Sequence, residues 1–136
     1  MRCALAPLVV VLALVLAGCG GSSNDNSAKS FSGEQAAVAK TVENLQSAAS
    51  DRDGAKICSE LITAALRDRI SAQSCPATVR TAIKDTDDVD LIVTKVAVTG
   101  TTATATVRQK LGNNKSRVVQ LPLVKSSGSW RIAQLP

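Results

Sequence analysis

Apolar residues change their spacing several times along this chain, and each change predicts a different element. From Leu8 to Ala17 they run unbroken (L-V-V-V-L-A-L-V-L-A). That is about ten residues, half of the roughly 20 that a bilayer-spanning helix needs. From Gly20 to Ser30 (G-G-S-S-N-D-N-S-A-K-S) there is no large apolar side chain. Such a stretch has too little surface to bury and reads as a flexible tether. From Phe31 onward the period becomes helical. Val38, Val42, Leu45 and Ala49 share one face of a helix that runs to about Ser50,. Ser32 and Gln35 form a capping box at its start, with Phe31 as a staple onto Ala36. Asp51-Arg52-Asp53-Gly54 breaks this helix. Asp53 then caps a short second helix carrying Ile57, Cys58 and Leu61, and Thr63 caps a third with Leu66 and Ile70. Pro76 suits the first turn of a fourth, running to about Lys84 with Val79 and Ile83 inward.

After Asp85 the period falls to two. Leu91 to Val98 is β-branched and apolar, and Thr99-Gly100 turns the chain. Thr101 to Leu111 alternates strictly, with Thr102, Thr104 and Thr106 on one face and Ala103, Ala105 and Val107 on the other. Gly112-Asn113-Asn114 is a hairpin turn. Lys115 to Val124 is a third strand, and Pro122 within it predicts an edge position or a bulge. Ser126-Ser127-Gly128 turns into a last strand, Ser129 to Leu135. Helices first and an antiparallel meander afterwards predict one α+β domain over residues 31–136, its N-terminal helices packed on one face of a four-stranded antiparallel sheet.

The run at Leu8–Ala17 follows Arg2 and ends in Leu16-Ala17-Gly18-Cys19. Charge, apolar run and L-A-G-C in this order resemble the signal and lipobox of bacterial lipoproteins. The resemblance implies cleavage after residue 18, a diacylglyceryl group on Cys19, and residues 19–30 as tether. Membrane attachment would then come through the lipid on Cys19, on the extracytoplasmic face of a bacterial cell membrane. A buried methylene contributes about 0.8 kcal/mol, and one acyl chain alone binds only marginally, so two or three chains make a durable anchor.

Cysteine use fits that compartment. Cys3 leaves with the signal and Cys19 carries lipid, so Cys58 and Cys75 remain as an even pair. In an exported protein such a pair predicts a disulfide rather than two separate buried thiols. Closing a loop of about 17 residues is worth roughly 3 kcal/mol in the chain-entropy model. The bridge has work to do, because the predicted core is mostly Ala, Val, Leu and Ile, with Phe31 and Trp130 as its aromatics.

A further resemblance lies in three passages: D-R-D-G-A-K-I-C-S-E-L-I from Asp51 to Ile62, V-A-V-T-G-T-T-A-T-A-T-V from Val96 to Val107, and S-G-S-W-R-I-A-Q-L from Ser127 to Leu135. Their order and spacing are similar to the SnoaL-like, cystatin-type α+β superfamily that includes relatives of nuclear transport factor 2. The resemblance implies a curved sheet wrapped round a helix to leave a cone-shaped pocket. Enzymes of that superfamily typically place an aspartate or histidine base and tyrosine donors inside the cone. This chain has no histidine and no tyrosine, and every acidic residue precedes Leu91. No catalytic residue carries over, and the chain reads as a non-enzyme.

The charge is unevenly spread. Leu91 to Pro136 holds Lys95, Arg108, Lys110, Lys115, Arg117, Lys125 and Arg131 and no acid. These are either a solvated strand face or a surface for anionic headgroups. Without interleaved stacking aromatics, nucleic acid is not an expected partner. The acidic run Asp85-Thr86-Asp87-Asp88-Val89-Asp90 lacks the glycine and glutamate of an EF-hand loop, since Asp90 and Val96 stand there,. Neither metal nor cofactor is expected. Trp130 either fills the core or lines a pocket in which Arg131 and Arg108 orient an anionic ligand. Two functions remain open. One is a binding module for a small apolar or amphipathic ligand. The other is an accessory domain docking on an envelope protein or an anionic lipid surface.

Overall fold

A computed structural model describes residues 27–85 and 90–136. The expected signal, the lipobox at Leu16-Ala17-Gly18-Cys19, the tether to residue 26 and the middle of the acidic run lie outside the described residues. A 3-10 turn, Ser27–Ser30, comes first. Composition assigns these residues to the tether, but Ala28 packs at the core margin. Its N–H donates to Glu43 Oε1 at 2.7 Å, so the folded part begins upstream of Phe31.

Among the described residues four helices follow, then a four-stranded antiparallel sheet in the order β1-β2-β3-β4. Helix α1 spans Gly33–Ser50. The expected capping box does not form. Ser32 makes no side-chain cap, and Gln35 Nε2 instead donates to Val96 O at 3.1 Å, because a strand carbonyl lies within its reach. Val38, Ala39 and Val42 are fully buried. Arg52 adopts a left-handed conformation (φ 56°) where α1 breaks. Asp53 Oδ1 then accepts from the Lys56 N–H at 3.0 Å and caps α2, Gly54–Lys56. This short helix widens into a π-turn, Ile57–Leu61. Thr63 Oγ1 accepts from the Leu66 N–H at 3.1 Å and caps α3, Ala64–Ser71. Helix α4 spans Cys75–Ile83, with Pro76 in its first turn.

Two features clamp α2 and the π-turn to α4. One is the disulfide Cys58–Cys75, with Cα atoms 6.2 Å apart. The other is Gly54, where a Cβ would stand 2.4 Å from the Pro76 carbonyl oxygen, so a side chain there forces the elements apart.

The strands are β1 (Asp90–Thr99), β2 (Thr102–Leu111), β3 (Lys115–Ser126) and β4 (Ser129–Ile132). Ala103, Ala105 and Val107 face the helices as their alternation predicts. In β1 the register shifts between Val93 and Lys95. This bulge resets the alternation, so that Val93 and Val96, three residues apart, both face the core,. Each turn uses left-handed residues: Gly100, then Asn113 and Asn114, then Ser127 and Gly128,.

Pro122 is not on an edge strand, since β3 lies between β2 and β4. It does mark where the edge begins. The Ala133 N–H donates to the Pro122 carbonyl at 2.8 Å. Proline has no N–H to return, so β4 stops at Ile132 instead of reaching Leu135,. The Ile132 carbonyl turns to the helical layer and accepts from the Thr63 N–H at 2.9 Å.

Candidate functional site

Trp130, Arg131 and Arg108 do not converge. Trp130 faces inward from β4 and is 5 % exposed. Its Nε1–H donates to Glu34 Oε2 at 2.6 Å, and Lys125 Nζ donates to Glu34 Oε1, also at 2.6 Å. Lys125 also lies over the indole, 5.9 Å from its centroid. The hydrogen bond from Lys125, then that from Trp130, holds the Glu34 carboxyl below its usual value, against a smaller opposing effect of burial,. This cluster joins the first turn of α1 to β3 and β4 and fills that end of the inner face.

Arg131, next in sequence, projects to the other side of the sheet. It reaches round β4, where its Nη1 donates to the Ser59 carbonyl at 2.7 Å. Arg108 is exposed on the outer face, paired between Ile92 on β1 and Val118 on β3. It borders an open, largely polar recess of about 800 Å³ around the β2–β3 turn, with Asp90, Lys110 and Asn113 among its other borders. This recess is roomy, but it has few apolar walls to hold a ligand.

A more apolar space lies elsewhere. A cavity of about 270 Å³ opens between the helices and the inner face of the sheet, at the end opposite Trp130. Leu45 and Ala49 of α1, Ile70 of α3, and Val79, Ala82 and Ile83 of α4 form one wall. Leu91 of β1 and Gln109 of β2 form the floor, and Leu135, 39 % exposed, overhangs it from the segment after β4. Arg69 Nη2 donates to the Ala133 carbonyl at 2.9 Å and fixes that segment against α3.

The two amide side chains of the lining are already engaged. Gln46 Oε1 accepts from the Leu91 N–H at 2.9 Å, and its Nε2 donates to Asp90 Oδ1 at 3.2 Å, which leaves its stem toward the space. Gln109 Oε1 accepts from Arg117 Nε at 2.5 Å. No lining side chain is a titratable group. The walls therefore suit burial of a hydrocarbon surface. The disulfide stabilises this geometry, because α4 and the π-turn residue Ile57 both contribute lining atoms.

Sequence reasoning passed over this cavity. Its residues come from seven separated segments, and each appears in its own segment as an ordinary core position. Comparisons with known protein families, with curated proteins and with solved structures find no match. The fold and cavity together define an α+β domain with an apolar pocket between its layers.

Proposed function

We propose that this chain is a membrane-anchored, extracytoplasmic lipoprotein whose domain binds a small apolar or amphipathic molecule without transforming it. The observation that carries the ligand reading is the 270 Å³ cavity with its uncharged, mostly apolar walls. Small-molecule sites are about 300–1,000 Å³, so this one suits a small ligand. Bulk water occupies about 30 Å³ per molecule, so the space takes roughly nine atoms or groups of that size. The non-catalytic part rests on the lining and on the lack of histidine and tyrosine in the chain. In this reading the helices and sheet form a variant of the cystatin-type cone, with the cavity as its open end. Anchoring rests on Leu8–Ala17 and Leu16-Ala17-Gly18-Cys19, and the Cys58–Cys75 bridge suits an oxidising compartment,.

Calorimetric titration with a series of 1-alkanols tests the ligand reading. Affinity should rise roughly fourfold per methylene, as about 0.8 kcal/mol per group implies, and level off near eight or nine carbons as the cavity fills. Affinity that shows no dependence on chain length, or that keeps rising well past that length, would count against the cavity as the site. Native mass spectrometry of the intact protein released from membranes should show a co-purified small molecule.

A further inference from the structure

We propose that the ligand is an anionic amphiphile, a short alkyl chain with one carboxylate-like head, seated with the head at the Gln109–Arg117 side of the cavity. This rests on the ligand-binding reading above and adds the chemistry of the head.

Gln109 is the one sheet residue with a polar side chain in the lining. Its cross-strand partner in β3 is Arg117. Both side chains stand on the inner face, in register with Leu91 across β1. Arg117 is exposed, and the bond from its Nε to Gln109 Oε1 holds the guanidinium against a residue that lines the cavity. With Nε so engaged, the two Nη groups remain as a planar fork, which suits a carboxylate held by two parallel hydrogen bonds.

Lys115 stands next on the same face of β3, two residues away,. From Leu91 to Pro136 the sequence supplies no acid to oppose these cations. The carboxylate nearest the lining by hydrogen bond is Asp90, on the far side of the cavity floor. It accepts from Gln46 and is paired in register with Lys110 on the outer-face set of β2. An apolar wall that carries cations at one side selects an amphiphile with a negative head. The volume limits its chain to about eight or nine heavy atoms.

The test compares octanoate, 1-octanol and octyltrimethylammonium, which share a tail and differ in head charge, by calorimetry on the intact folded domain at low and moderate salt. Octanoate should bind about three- to tenfold more tightly than octanol at low salt, and the cation more weakly than either. The octanoate advantage should shrink as salt screens the exposed head. Arg117→Gln should weaken octanoate about three- to fivefold, the range of a partly exposed ion pair, and leave octanol unchanged. Arg108→Gln removes the same charge from the opposite face and should change neither.

Equal binding of octanoate and octanol, tighter binding of the cation, or equal losses in Arg117→Gln and Arg108→Gln would each overturn the anionic head. Octanol would still report the cavity in those cases. If none of the three ligands binds, the ligand-binding reading itself fails, and this proposal with it.

Discussion

The inner face of the sheet has two ends that the chain treats in opposite ways. At the β4 end, one large ring fills the space. Trp130 is nearly buried, its N–H is satisfied by Glu34, and Lys125 covers both. At the other end no aromatic is present, and Ala49 and Ala82 stand beside Leu and Ile side chains that do not close over the floor. Close packing is the rule in protein interiors, and voids of this size are uncommon. A domain that could fill one end with a single tryptophan leaves the other open, and the opening is what bears on function. The largest expected effect follows from emptying the filled end. Trp130→Ala should cost about 3–5 kcal/mol by cavity formation, measured as the shift in denaturant midpoint. A loss below about 1 kcal/mol would show that the two ends are not packed differently.

The disulfide comes next. It joins the π-turn to α4, and both line the open end. Reduction, or the pair Cys58→Ala and Cys75→Ala, should cost about 3 kcal/mol for a 17-residue loop,. It should also loosen the open end selectively. Hydrogen exchange should accelerate in α4 and around Ile57 while β3 and β4 stay protected. Uniform acceleration would mean that the bridge braces the whole domain rather than the cavity wall.

This contrast was only partly legible in the sequence, for reasons that are physical. Alternation in β2 placed Ala103, Ala105 and Val107 correctly because a period of two is a local property of an extended chain,. Asp53 and Thr63 were legible as caps because their partners lie three residues away,. Gln35 was misread as a capping partner because its real acceptor, Val96, is 61 residues distant. Size alone left Trp130 either filling the core or lining a pocket, and its burial and bond to Glu34 place it in the core. The cavity itself had no local signal. It arises where Leu45, Ile70, Ile83, Leu91 and Leu135 approach without meeting.

A smaller effect separates the ends by charge. Glu34 is half exposed, and its carboxyl is held below the usual value of 4.5 by Lys125 and Trp130. A carboxyl lowered in the folded state contributes stability that is complete above its unfolded value and lost as the pH falls through the folded one. Glu34→Gln should therefore be less stable than the native chain at pH 7, and the difference should shrink across the acid range as the carboxyl protonates,. A melting difference that stays constant across this acid range would exclude the ionised Glu34 as the source. Ligand affinity should not follow Glu34 at any pH, because the cluster lies at the filled end.

Ala82→Phe should have the smallest effect on stability and the clearest effect on the open end. Ala82 is exposed on α4 and borders the cavity. Phenylalanine there loses about 0.5 kcal/mol of helix propensity. Laying the ring into the apolar space returns a comparable amount by burying surface at about 25 cal/mol per Å². The denaturant midpoint should thus stay within about 0.5 kcal/mol of the native chain. Alkanol binding should fall by at least tenfold, because the ring occupies most of the volume a short tail needs. The same aromatic addition at the filled end would meet Trp130 and its neighbours and destabilise the fold, as overpacking does. Tolerance of a phenyl ring at Ala82 with loss of binding would show the open end to be usable space rather than a packing defect. Unchanged binding would place the alkanol site elsewhere on the domain.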